Sequence, residues 1–258
     1  MNDLTDLLKT LRFKYVDQML PEVMEHARIH SLTYEGFLRR VLSLELEGRN
    51  LTAQRNRLKA ARLPVHKTLE EFDFSFQPSL NERHLRELAD LSFVRTHSNV
   101  VFLGPPGVGK THLALSLAAK ALDAGYSVLF STLTDLVEDL DVATQQHAFK
   151  SRLRRYITAH VLVIDEIGYT QLASQQANQL FDLVRDRYEH GSTILTSNTS
   201  FAEWGKLMNN EVLATALLDR LLHHAEVITI NGKSYRMKDR MAAHTSKGGK
   251  ISTPSPSL

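Results

Sequence analysis

Gly104-Pro105-Pro106-Gly107-Val108-Gly109-Lys110-Thr111 matches glycine, any four residues, glycine, lysine, serine or threonine at every position. Each fixed residue type has a chemical reason. Glycines let the backbone curl so that successive N–H groups converge on phosphate oxygens. A helix starting near Lys110 adds the positive end of its dipole. The Lys110 ammonium is placed for β- and γ-phosphates, and the Thr111 hydroxyl for a magnesium ion. The alternative is a glycine-rich turn. Context argues against it, since an apolar run (Val100–Leu103) precedes the loop and an amphipathic helical pattern follows.

A second stretch, Val161-Leu162-Val163-Ile164-Asp165-Glu166, supplies what a phosphate loop needs beside it. Four apolar residues predict a strand buried on both faces. Asp165 at its carboxyl end can hold magnesium, and Glu166 is then placed to polarise an attacking water as general base. The pair points to an ATPase with an additional strand between the two motifs, not to a kinase of small metabolites. A third run, Thr193–Ser197, leads into Asn198, which either orients the attacking water or is simply a turn residue.

Further outward, short apolar runs (Asn99–Leu103, Tyr126–Ser131, Val161–Ile164, Thr193–Ser197, Glu226–Ile230) alternate with helical patterns over Thr111–Ala124, Arg152–Thr158 and Ser174–Glu189. Such alternation predicts an α/β fold, a parallel sheet covered by helices on both faces. Residues 3–62 read as helical: Leu4, Leu7, Leu8 and Leu11 fall at helical spacing, as do Phe37, Leu38, Val41, Leu42 and Leu46, and Pro21 is expected near a helix start. Pro64 ends that pattern, and Thr68–Phe76 (TLEEFDFSF) reads as a linker that packs through its aromatics. The expected division is an all-α N-terminal domain at 1–65, a linker and lead-in helix at 66–98, an ATPase domain at 99–240, and a disordered tail at 241–258.

The chain has 258 residues with 43% hydrophobic and 23% charged content, ordinary for a globular protein. It has no cysteine, which excludes disulfides and cysteine-ligated zinc. No basic leader followed by an apolar run opens it, and no apolar stretch approaches the ~18 residues of a membrane span, so a cytoplasmic protein is expected. The net charge of +2 is unevenly spread: an acidic middle lies between basic ends, and Gly48–Leu69 holds six Lys/Arg and no acid. Basic ends suit a polyanion partner, or are solvated surface. Lys150, Arg152, Arg154 and Arg155 form a second basic group that either contacts DNA phosphates or is a solvated helix face. His223 and His224 suggest a metal, but neighbours on a regular helix do not face one ion, so no metal beyond the nucleotide magnesium is expected.

GPPGVGKT, VLVIDE and ILTSN together resemble the AAA+ superfamily, in its clade of replication initiators and helicase loaders. The N-terminal LRFKYVDQMLPEVMEHARIHSLTYEGFLRRVL, the linker KTLEEFDFSF and the ending GKSYRMKDR resemble the IstB-type transposition helper ATPases, over nearly the whole length. The resemblance implies an AAA+ core with a five-stranded parallel sheet behind a small all-α domain. It implies ATP and Mg2+, an ATP-dependent homo-oligomer on duplex target DNA, bending or remodelling of that DNA, recruitment of a DDE transposase, and hydrolysis that controls disassembly. It places Arg220, in Leu218-Asp219-Arg220-Leu221, as an arginine finger reaching a neighbouring subunit's γ-phosphate. It places Arg236, in Lys233-Ser234-Tyr235-Arg236, as a phosphate contact within its own subunit. The helical lid of many relatives is nearly absent after Arg236. The competing reading is a replicative-helicase loader of the same clade; a metabolite kinase would leave Glu166, Asn198 and the basic ends unexplained.

Overall fold

Three helices, α1 (Leu4–Thr10), α2 (Lys14–Ile29) and α3 (Tyr34–Ala61), account for the N-terminal part of the chain. The computed structural model describes residues 4–235 and divides between Lys59 and Ala60, so the last turn of α3 crosses the division. Within the first unit Glu45 ties α3 to α2. It accepts the backbone N–H groups of Tyr15 (2.9 Å) and Val16 (3.2 Å) and pairs with Arg49 (2.8 Å). Burial opposes its ionisation, but Arg49 and the two N–H donors outweigh burial and hold its pKa below the usual carboxylate value. Pro21 lies inside α2 and not at its start. Its side is exposed, so the carbonyl that loses an N–H partner can be hydrated, while Val16 and Val23 are buried. The apolar spacing read from the sequence is largely turned outward: Leu4, Leu7, Leu11, Leu38, Leu42 and Leu46 are all exposed.

The second unit opens with α4 (Glu82–Leu88) and the single turn α5 (Ser92–Arg95). Then come β1 (Asn99–Leu103), α6 (Lys110–Asp123), β2 (Val128–Thr132), α7 (Leu133–Gln145), α8 (Phe149–Thr158) and β3 (Val161–Ile167). They are followed by α9 (Ser174–Arg187), β4 (Ser192–Ser197), α10 (Trp204–Leu207), α11 (Glu211–His223) and β5 (Ala225–Thr229). The sheet is five-stranded and parallel in the order β2-β3-β4-β1-β5. Because side chains alternate along a strand, Val100 and Phe102 enter one core with α6, while Val101 enters the other with α7, α9 and α11. β3 divides likewise, Val161 and Val163 to the first core, Leu162 and Ile164 to the second. Each such buried side chain contributes ~1.5–3 kcal/mol.

Several boundaries differ from the sequence reading. β2 starts at Val128, not Tyr126, because the Tyr126 N–H closes the end of α6 on the Ala121 carbonyl (3.0 Å). α8 starts at Phe149, three residues before the expected Arg152. α7 had not been read as a helix, although Leu133, Leu136, Val137 and Leu140 bury one face and Thr132 caps it by accepting the Asp135 N–H (3.0 Å). α11 ends at His223, and His224 leaves the helix (φ −127°, ψ 68°), so the two rings approach to 4.1 Å between centroids. Among the described residues no helix is long and apolar enough to cross a membrane.

Arg187, the last residue of α9, is buried at the end of the sheet where β4 begins. Its guanidinium donates to the carbonyls of Tyr156, Ile157, Ala159 and Ser192 and to the Thr193 hydroxyl. Burial pulls its pKa down to about 9, while the acceptors hold the charged form in place. Arg187→Met keeps the stem and strands those acceptors; a loss of about 3–5 kcal/mol in unfolding free energy is expected by urea denaturation.

Candidate nucleotide site

The phosphate loop runs from the end of β1 to the start of α6 and is held from several sides. Gly104 N–H donates to the Ser197 carbonyl (3.2 Å), and Gly107 carbonyl accepts the Tyr235 N–H (2.8 Å). Gly109 caps α6 at φ +102°, a conformation side chains disfavour, and a Cβ there would lie 2.5 Å from the Phe72 ring. Lys110 is buried, and its Nζ donates to the carbonyls of Gly104 (2.7 Å) and Pro105 (2.8 Å).

Opposite the loop stands the end of β3. The Thr111 hydroxyl lies 2.9 and 3.1 Å from the two carboxylate oxygens of buried Asp165. A buried carboxylate beside a threonine hydroxyl is an all-oxygen donor set, which fits magnesium. β3 is irregular between Ile164 and Ile167, and Glu166 sits at that irregularity in a left-handed conformation (φ +64°). The irregularity keeps Ile167 in the ladder and in the core, while Glu166 is exposed on the cavity. β3 is therefore longer than the run Val161–Ile164 read from the sequence.

Thr196, which the sequence reading passed over, connects these acids. Its hydroxyl donates to Asp165 and accepts the Glu166 N–H (3.0 Å), and the residue is buried. Asn198 donates its N–H to the Ile167 carbonyl (3.0 Å) and borders the same cavity.

That cavity measures about 340 Å³ and is lined by Pro106–Thr111, Glu166, Thr196 and Asn198. Its remaining wall comes from outside the motifs. Lys67, Glu71, Phe72, Asp73 and Gln77 precede α4, His112 lies on α6, Tyr169 follows β3, and Tyr235 follows β5. The aromatics of Thr68–Phe76 thus pack on the phosphate loop and its helix. The Phe72 and His112 rings meet edge to face at 5.3 Å, the His112 Nε2 bonds the Thr68 carbonyl (2.8 Å), and Phe76 meets Tyr235 at 5.1 Å. Gln77 Nε2 donates to the Lys233 carbonyl (3.0 Å), joining the two segments.

Arg220 lies elsewhere. It donates to the Ala216 carbonyl (2.8 Å) and stacks 5.1 Å above the Phe181 ring. Asn99, the first residue of β1, donates to the neighbouring Leu221 carbonyl (2.9 Å), so Arg220 stands at the end of the sheet opposite the phosphate loop. A five-residue strand, about 16 Å, separates the two. Of the basic residues on α8, Lys150 and Arg154 are exposed and Arg155 is half-buried. Arg152 pairs with Asp139, which also accepts the Tyr156 hydroxyl (2.8 Å). Burial first, and Asp139 second, push the Tyr156 pKa up to about 12. Arg236 lies outside the described residues.

Comparison with known proteins agrees with this architecture. The fold is shared with the DnaC helicase loader (TM-score 0.53, 22% identity, 68% of this chain and 99% of that one). It is also shared with AMPPCP-bound DnaA from Aquifex aeolicus (TM-score 0.52, 18% identity, 72% and 57%). Both show the same arrangement of sheet and helices. In sequence the chain is 46% identical over 243 residues to a Pseudomonas aeruginosa protein named for the insertion sequence IS21 and for ATP binding, covering 94% of this chain and 92% of that one. It is 44% identical over 216 residues to a Geobacillus stearothermophilus counterpart named for IS5376, covering 84% and 86%. Residues 6–243 match the model of the family described as IstB-like ATP binding proteins, and the chain belongs to that family.

Proposed function

We propose that the protein is an ATP-hydrolysing helper of DNA transposition. The observation that carries this reading is that Lys110, Thr111, Glu166, Thr196 and Asn198 line one cavity, with Asp165 buried behind it and bonded to the Thr111 and Thr196 hydroxyls. Lys110 turns from the loop carbonyls to the β- and γ-phosphates of ATP, and the loop N–H groups cradle them. Thr111 and Asp165 hold Mg2+, which neutralises phosphate charge when bound. Glu166 takes the proton of the attacking water, and Asn198 fixes that water's orientation. Arg220 stands too far from its own cavity to act there, which supports its service to the site of a neighbouring copy. Assembly of copies is therefore part of the proposal, with Arg236 as the phosphate contact in its own subunit.

The relatives' insertion-sequence names support a role in transposition, and exposed Lys150 and Arg154, with Arg155, supply cations for duplex DNA phosphates. Arg152, already paired with Asp139, contributes less. ATP-bound copies assemble on duplex target DNA, remodel it and recruit a DDE transposase, and hydrolysis releases the assembly. The exposed leucines of α1 and α3 suit contacts with another copy or with the transposase. Sedimentation with duplex DNA, with single-stranded DNA and without DNA, in ATP and in ADP, tests this. Large ATP-dependent complexes on duplex are expected. Preference for single strands would replace the reading with a helicase loader.

Thr196 acts here as a positioning residue. Thr196→Val removes one hydroxyl at nearly constant volume and releases the Glu166 N–H. A drop in kcat of about tenfold with little change in KM for ATP is expected, matching a lost hydrogen bond of roughly 1.4 kcal/mol. Thr196→Ser should restore turnover; a change in KM alone would assign Thr196 to binding instead.

A further inference from the structure

At the end of the sheet remote from the nucleotide cavity, Glu189, His223 and His224 bring one ligand atom each to within 4.8 Å of one another. The local backbone explains the convergence. α11 stops at His223, and the non-helical turn at His224 swings the second imidazole beside the first. Glu189, just after α9, is left-handed (φ +60°), and its carboxylate comes 3.9 Å from His224 Nε2. Tyr188 places its hydroxyl 2.7 Å from His223 Nδ1, which fixes that ring and leaves Nε2 for a ligand. The nearby cation, Arg220, is held by the Ala216 carbonyl and by Phe181.

We propose that Glu189, His223 and His224 form a surface binding site for a divalent transition-metal ion of the zinc type. Two imidazoles and a carboxylate are a donor set for zinc, nickel or copper, not for magnesium. Zinc–nitrogen and zinc–oxygen bonds of about 2.0–2.2 Å put tetrahedral ligands roughly 3.4 Å apart, so the three groups close by about 1.4 Å at most. All three side chains are exposed and make that adjustment by rotation, and solvent completes the coordination. The ion would pin the end of α11, one turn beyond Arg220, to the segment between α9 and β4.

The test is zinc binding by the full chain, stripped of metal, at pH 7.5 without nucleotide, in competition with a chromophoric zinc indicator. The wild type is expected to take up one equivalent that His223→Ala/His224→Ala does not. The sequence holds 12 histidines, and the rings of His26 on α2 and His30 just after it also approach to 4.3 Å, with no third ligand beside them among the described residues. His26→Ala is therefore the comparison, and it should leave the tight equivalent intact. Loss of that equivalent in His26→Ala, or its retention in the double variant, overturns the proposal. Should the double variant fail to fold, Glu189→Gln and Tyr188→Phe decide. Both should weaken zinc about tenfold or more, and unchanged affinity in both overturns the site.

Discussion

Lys110→Ala should reduce ATP affinity by more than about a hundredfold, measured by titration with a fluorescent ATP analogue. The ammonium is buried and already turned into the loop, where it holds the carbonyls of Gly104 and Pro105. With ATP in the cavity the same charge meets phosphate oxygens in a water-poor setting. Truncating one partner of such a hydrogen-bonded charge pair costs about 2–5 kcal/mol, and each 1.4 kcal/mol is tenfold in affinity. The variant also releases two loop carbonyls, but Pro105 is exposed and Gly104 only half-buried, so both can be hydrated. Circular dichroism should therefore match the wild type. A folded variant that binds ATP at wild-type affinity would remove Lys110, and with it the phosphate assignment, from the mechanism.

Glu166→Gln should leave ATP binding within a few fold of wild type and slow hydrolysis by about 10²–10⁴, the range a general base commands. The amide keeps the shape of the side chain and cannot take a proton. The backbone conformation at position 166 is set by the irregularity in β3 and by Thr196, not by the carboxylate, so the geometry of the site should persist. Steady-state turnover and single-turnover hydrolysis together check the point. With the chemical step stopped, complexes formed with ATP on duplex DNA should persist when excess competitor DNA is added. Unchanged turnover would show that another group activates the water.

The two motifs were legible because their chemistry leaves little choice of residue. A loop that offers N–H groups to phosphate needs glycines, and a strand buried on both faces needs apolar residues up to the acid that ends it. The parallel sheet followed from the alternation of apolar runs with helical spacing. Other features depend on contacts far apart in the chain. The aromatics of Thr68–Phe76 advertised packing, but their target, Gly109 and His112, is visible only once the chain has folded back on α6. Thr196 looks like any strand threonine until β3 lies beside β4. The placement of Arg220 at the opposite end of the sheet depends on the direction of α11, which periodicity does not give. At His223 and His224 the reading assumed an unbroken helix; His224 leaves helical geometry instead, and the two rings lie side by side.

The strand order has a consequence for synthesis on the ribosome. β1 is paired on one side with β4 and on the other with β5, so Val100 waits for both Ile194 and Glu226. The loop that follows β1 is tied in the same way, Gly104 to Ser197 and Leu103 to Ile230. A nascent chain that has just emitted its phosphate loop therefore lacks the neighbours that shape it. Pairings of such long sequence separation form late, because the intervening loop must be closed first. Chains interrupted before β5 should accordingly be unable to capture nucleotide, and full-length chains should gain that ability in one late step.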